Sequence, residues 1–337
     1  MENKLISLQW LRAVAVLLVV GWHVMVKANV LNITSEQYFA IGNAGVDLFF
    51  IISGFIMAYT LQKQDNGRVF FVKRLARIIP LYWFFSLTAL IIYLYNPNMV
   101  NSHTEHTTIL NSFTLFPIEN HAMLIDVGWT LRYEFIFYSI LSICLIFRKD
   151  TGLKLCSILL LAIPFTSYFF NQRGFYFDFL TNEILMEFSF GIIAYYVNRK
   201  IYIYSKSIIT ILLGLALLLT LENYTPHLHR TFKYGVPMLL ILFGTLKLNQ
   251  KGSNCISKVL SITGDASYSI YLSHMFTIGI AILASRKILP GTKFDYLFIP
   301  FSILASTIVG IVIFHYIEKP LLKLVKNTLR SYSNVYQ

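Results

Sequence analysis

Apolar stretches about as long as a bilayer is thick follow one another along nearly the whole chain, separated by short polar connections. A helix needs roughly twenty largely apolar residues to cross a membrane. By that measure the pattern predicts about ten spans, near 6–27, 41–61, 78–95, 129–147, 155–170, 183–197, 206–221, 234–248, 267–285 and 298–318. Several are short or interrupted by Pro and Gly, and the eighth contains Pro237. No Gly/Ser linker, low-complexity run or internal repeat divides the series, so the chain is read as all-α, a polytopic membrane bundle forming one domain over residues 1–337 with no soluble domain appended. The first run carries Arg12 and lacks a small-residue exit, which marks a retained helix rather than a cleaved signal peptide.

Composition agrees with this reading. Hydrophobic residues are 56% of the chain and charged residues 13%, too few charges to cover the surface of a soluble domain. The formal net charge of +12 would fit nucleic acid only if the cations were clustered on one solvated face, whereas here they sit between apolar runs. Their distribution instead sets an orientation, because cytoplasmic loops retain Lys and Arg. With the N-terminus inside, 19 of the 28 Lys and Arg residues fall in cytoplasmic segments and 7 outside, while Arg12 and Arg132 remain within spans. Both termini are then cytoplasmic, and the long connection 96–128, which has no Lys or Arg, lies outside, where a long loop is usually functional. The three cysteines show neither a disulfide framework nor a metal-type spacing with His, so no metal is expected.

An ionisable group inside a span costs about 3 kcal/mol on insertion scales and is a candidate site residue by default. These groups are Arg12, His23, Asp47, Arg132, Glu134, Glu187, His274, His315 and Glu318. Arg12 and His23 are eleven residues apart, which returns the later side chain to within about 20° of the same helix face and about 16 Å further along the axis. They define a polar stripe, although a snorkelling Arg and a His satisfied by a neighbouring carbonyl would look the same. Glu134 lies at a depth similar to His23. A carboxylate there would raise the basicity of the imidazole and fix its tautomer, as a general base requires; the alternative is a structural ion pair with Arg132 or Arg12. Arg74 and Arg77, three apart on one helix face, suit a phosphate through their planar forks, or else anchor the chain to anionic lipid. The run from Gly45 to Phe55, with Asp47 and Ser53, reads by itself as close helix packing. Glu318-Lys319-Pro320 reads as an interfacial cap at which Pro320 halts the last span. Phe113, Phe116, Phe175 and Tyr176 in outer segments suit either sugar stacking or an interfacial aromatic belt.

Taken in order, these segments resemble the acyltransferase-3 family of membrane acyltransferases, which includes bacterial exopolysaccharide and O-antigen O-acetyltransferases. Arg12 and His23 fit its R-x10-H signature, Gly45 to Phe55 its GxxLFFxxSGF segment, and Arg74 with Arg77 its RxxR element before Ile79-Pro80. Trp129 to Tyr138, which includes Arg132 and Glu134, is similar to its W-[ST]-L-x-x-E-x-x-F-Y segment. Gly264 to His274, containing Tyr271, and Tyr316 to Pro320, containing Glu318, complete the series. The resemblance implies a ten-helix fold in a bacterial inner membrane, acetyl-CoA as donor reached from the cytoplasm, and His23 as the essential residue, acting either as base or as acyl acceptor. It further implies Arg12, Arg74 and Arg77 as donor-binding groups, and a saccharide or lipid-linked glycan as acceptor. The rival from another class is a transporter or flippase using the same intramembrane charges as a relay.

Overall fold

Residues 6–32, 39–61, 66–100, 107–170, 174–200, 207–225, 227–248, 254–288 and 295–335 are described by the computed structural model. Lys4, Lys63, Arg173, Lys206, Lys251 and Lys293, which enter the charge count, lie outside the described residues. The helices are α1 (Ile6–Val30), α2 (Ala44–Thr60), α3 (Gly67–Tyr95), α4 (Ile109–Thr114), α5 (Trp129–Cys144), α6 (Lys149–Phe165), α7 (Phe175–Leu180), α8 (Leu185–Lys200), α9 (Ser207–Tyr224), α10 (Val236–Leu246), α11 (Cys255–Asp265), α12 (Ser267–Ile288), α13 (Asp295–Ile313) and α14 (Lys319–Val335). Among the described residues there is no strand, only an isolated bridge between Thr107 and Ala122.

Each predicted span falls on a helix, yet among the described residues seven stretches qualify by length and apolarity to cross a membrane: Ile6–Val30, Ala40–Thr60, Gly67–Tyr95, Lys149–Phe169, Ser207–Tyr224, Ser267–Ala284 and Leu297–Thr328. The apolar helix Thr231–Leu246 is shorter, and α5 and α8 have 16 residues each. Packing explains the short ones. Much of α8 is buried, and α5 contributes to the wall of the central cavity, so neither must match the bilayer on all sides as a lipid-facing helix does.

Of the boundaries that differ from the predicted spans, two have a clear physical reason. Helix α3 begins eleven residues before the predicted 78, at Gly67, because Asn66 caps it by accepting from the Val69 amide at 2.8 Å. Hydropathy records where the bilayer begins, whereas the helix continues through the charged residues before it. Pro320 does not halt the last span: a single π turn, Phe314–Glu318, leads straight into α14, where Pro320 is the second residue and its missing N–H is no loss. The same device, a π turn at Thr231–Gly235, precedes Pro237 in α10.

Helix α1 is the hub, packed against α2, α11, α12 and α13. Helices α2 and α8 approach until their backbones touch. A Cβ on Gly54 would lie 2.0 Å from the Phe188 carbonyl oxygen, and one on Gly191 2.0 Å from that of Ile51. Small residues at such a crossing let helices gain van der Waals contact in lipid, where the hydrophobic effect does not hold them together.

The connection between α3 and α5 folds back onto the bundle. Asn111 and Ser112 in α4 are fully buried; Tyr82 of α3 donates to the Ser112 carbonyl at 2.5 Å, and Trp83 to that of Phe113 at 3.0 Å. The Leu124 amide in turn donates to Ser112 Oγ at 2.8 Å. These bonds seat Met123, Leu124, Ile125 and Val127 as buried residues over the helix ends.

Candidate active site

Helices α1, α2, α3, α5 and α12 line a half-open cavity of about 250 Å³. Arg12, Arg74 and Arg77 line it together with Gln9 and Ile78, and Glu134, Ser53, Tyr138, Ser267, Tyr268 and Tyr271 stand along its walls. Phe49, Phe50, Ile56 and Met57 of α2 supply an apolar side. The chamber therefore combines a long apolar wall with convergent cations, a usual composition for a small-molecule site.

The basic end is organised by hydrogen bonds and charge. Arg12 Nε donates to Ser267 Oγ at 3.1 Å, and its guanidinium feels the charges of Arg77, Glu318, Asp265 and Glu134. Glu318, 4% exposed, accepts from Ser269 Oγ at 2.5 Å and is also within electrostatic reach of Arg77 and Arg12. Arg74 lies over the Phe70 ring, 5.5 Å from its centroid. Glu134 accepts from Ser53 Oγ at 3.3 Å and from the Tyr138 hydroxyl one turn along its own helix. The chamber thus gathers the guanidiniums of Arg12, Arg74 and Arg77, whose planar forks suit an anionic ligand.

Tyr271 is the last residue of α12 on the cavity wall. Its hydroxyl and that of Thr130, 3.0 Å apart, both donate to the Val127 carbonyl, at 2.9 and 3.1 Å. One helical turn beyond, about 4.5 Å along α12, lies His274, whose Nε2 is 3.4 Å from Nδ1 of His23. His23 does not line the cavity; its ring lies against Trp22 and His274, with centroids 4.6 and 4.8 Å away.

The stripe inferred for α1 is thus present, and α12 is what it faces. Arg12 meets Ser267 and His23 meets His274, so the two helices run in the same direction. The pairing of His23 with Glu134 is not present. Sequence places the two at similar depth, but Glu134 turns toward Ser53 and Tyr138, with neither Arg12 nor Arg132 bonded to it. Depth follows from residue number, whereas direction around the axis relative to neighbours does not.

Asp47, Trp129 and Arg132 are also off the cavity wall. Asp47, fully buried, takes a bidentate pair from Arg230 at 3.0 and 2.7 Å, and Arg230 also donates to the Asn43 carbonyl and side chain. Arg230 lies between the predicted spans 206–221 and 234–248, among the seven cations counted outside; an intramembrane Asp with no cation of its own in its span is the available signal for such a partner. Trp129 packs edge-on against Phe50 and Tyr133. Arg132 has two guanidinium nitrogens without a hydrogen-bond partner, Nε and Nη2. Glu187 accepts from Thr231 Oγ1 at 3.3 Å, and His315 is exposed and bonded to the Ile311 carbonyl. Gln9, Thr130, Ser267 and Tyr268 line the cavity without having been singled out, since uncharged polar residues in spans carry no distinguishing cost. Among the described residues no three His, Cys, Asp or Glu side chains are grouped to hold a metal.

Removing the carboxylate of Asp47 takes away the bidentate partner of Arg230 in a largely buried place. Asp47→Ala is expected to cost about 3 kcal/mol, read as a lower midpoint of thermal unfolding in detergent; the KM for any ligand of the cavity should stay unchanged.

Residues 5–316 match the family model described as an acyltransferase domain, acyltransferase-3. The exopolysaccharide production protein ExoZ of Rhizobium meliloti (strain 1021) is 29% identical over 303 residues, 85% of this chain and 92% of its own length. A protein of Acidianus two-tailed virus, ORF330, whose name carries a provisional acetyltransferase label, is 26% identical over 268 residues, 73% of this chain and 76% of its own. No solved structure matches.

Proposed function

Because the chain belongs to the acyltransferase-3 family, whose domain accounts for residues 5–316, we propose that it is a membrane O-acyltransferase moving an acetyl group from acetyl-CoA to a hydroxyl of a saccharide or its lipid-linked precursor. The observation that carries the reading is the cavity, with Arg12, Arg74 and Arg77 on its wall and Tyr271 there one helical turn short of an imidazole pair. The saccharide acceptor is supported by the name of the Rhizobium relative, which speaks of exopolysaccharide production.

In this proposal the whole bundle is one domain, and the Lys and Arg bias sets the basic end of the cavity toward the cytoplasm. The phosphates of acetyl-CoA rest on Arg74 and Arg77, whose forks match phosphate oxygens. The pantetheine arm passes Arg12 along the apolar wall of α2, where Glu134 accepts hydrogen bonds from its amides. Tyr271 turns aside to admit the thioester to the imidazole pair. His23 takes the proton from the acceptor hydroxyl as the oxygen attacks the thioester carbonyl. Collapse of the tetrahedral adduct breaks the C–S bond, and the leaving thiolate recovers the proton from His23, giving the acetyl ester and free CoA thiol.

The test is to incubate membranes containing the protein with acetyl-labelled acetyl-CoA and extracted cell-surface glycan. Label appearing in the glycan supports the proposal; movement of unmodified substrate without label transfer identifies a transporter instead. Arg77→Ala is expected to raise KM for acetyl-CoA about 10- to 100-fold through loss of a charge-assisted hydrogen bond, with kcat within a few-fold of the parent.

A further inference from the structure

His274 is wholly buried on α12, and the mechanism above gives it no task. Its hydrogen bonds nevertheless assign both rings of the pair. Nδ1 of His274 lies 2.6 Å from the Tyr271 carbonyl oxygen. A carbonyl only accepts, so this nitrogen carries the hydrogen. Nδ1 of His23 lies 2.9 Å from the Val19 carbonyl oxygen and carries one for the same reason. The two rings meet through Nδ1 of His23 and Nε2 of His274 at 3.4 Å. A hydrogen on both of these atoms would set two donors against each other, so Nε2 of His274 is a bare lone pair that shares the His23 N–H with Val19.

We infer that His274 is a positioning residue: it holds His23 in the Nδ1–H tautomer and leaves Nε2 of His23 as the nitrogen that takes the proton from the acceptor hydroxyl. The inference rests on the reading of His23 as the base. The Val19 carbonyl belongs to the same helix as His23 and so ties the ring only to α1. His274 adds an acceptor from a second helix, fixing the ring relative to Tyr271 on the cavity wall. When Nε2 gains the proton, the Nδ1–H bonds become charge-assisted and strengthen. A carboxylate commonly fills this place beside a catalytic imidazole. A neutral imidazole does so without bringing a further charge into an apolar interior, where charge is costly.

Asparagine and glutamine separate the two bonds of His274. The amide nitrogen of Asn overlies Nδ1, keeping the bond to the Tyr271 carbonyl but losing the acceptor toward His23; the amide of Gln extends to the position of Nε2 and offers an oxygen there. The full-length protein, labelled with ¹⁵N-histidine in lipid nanodiscs, is examined by ¹⁵N NMR, with the His23 signal identified by its loss in His23→Ala. The parent and His274→Gln are expected to show His23 with hydrogen on Nδ1, and His274→Asn a mixture of both tautomers. In the transfer assay His274→Asn should lower kcat about 10- to 100-fold, as loss of a ligand-orienting partner does, with KM for acetyl-CoA unchanged, while His274→Gln recovers most of kcat. An Nε2–H signal for His23 in the parent, or equal kcat for the Asn and Gln variants, overturns the positioning role. Full transfer by His23→Ala overturns the reading of His23 instead.

Discussion

His23→Ala is expected to lower the rate of acetyl transfer by about 10²- to 10⁴-fold, the contribution of a positioned general base, while the protein still inserts and binds acetyl-CoA. Donor binding should survive because His23 lies beyond Tyr271, off the wall of the cavity that carries the three arginines. Stability should fall only modestly. The substitution leaves Nε2 of His274 without its donor, worth about 1–3 kcal/mol for a buried polar atom, and the neighbouring Val19 carbonyl keeps its place in α1. Initial rates with labelled acetyl-CoA, alongside acetyl-CoA binding to the purified variant, check both halves of the expectation. A variant that transfers at the parental rate would mean that the chemistry takes place elsewhere in the cavity.

Gly191→Leu should abolish the folded protein, and Gly191→Ala should already destabilise it by about 1–3 kcal/mol or more, the range for overpacking a well-filled contact. A Cβ at this position meets the Ile51 carbonyl oxygen at 2.0 Å and the Phe55 amide nitrogen at 2.6 Å, both backbone atoms that no rotamer change can move away. The whole of α2 would have to shift. That helix carries Phe49, Phe50, Ser53, Ile56 and Met57 into the cavity, so even a partly folded variant should lose donor binding. Size-exclusion profiles and thermal midpoints in detergent read the first effect, and acetyl-CoA binding the second. A parental thermal midpoint for Gly191→Leu would show that α2 and α8 are not as close as described.

Much of the cavity wall was visible as polar residues in apolar runs. Arg12, Arg74, Arg77, Glu134, Ser53 and Tyr271 all line one cavity, and each was marked either by the cost of a charge in lipid or by its place in a motif of the family. The partners were less visible. Ser267 for Arg12, His274 for His23 and Arg230 for Asp47 lie 255, 251 and 183 residues away from the groups they bond. No periodicity within one helix encodes such pairings. The folded connection over Tyr271 was legible only as a long loop lacking Lys and Arg, because its order comes from Tyr82, Trp83 and Ser112 bonding across elements.

By itself, the sequence determined that the chain is helical and lipid-embedded, where its apolar runs fall, and that Arg12 and His23 share a stripe. Those properties follow from local quantities: transfer free energy summed along a run, and a fixed 100° turn per residue. Tertiary structure alone decided which way each helix faces. It turned Glu134 toward Ser53 and Tyr138 rather than His23, took Asp47 out of the cavity to meet Arg230, and carried the last helix through Pro320. Rotation about a helix axis is set by packing against neighbours, and in this bundle by glycines such as Gly54 and Gly191 that allow one backbone to rest on another.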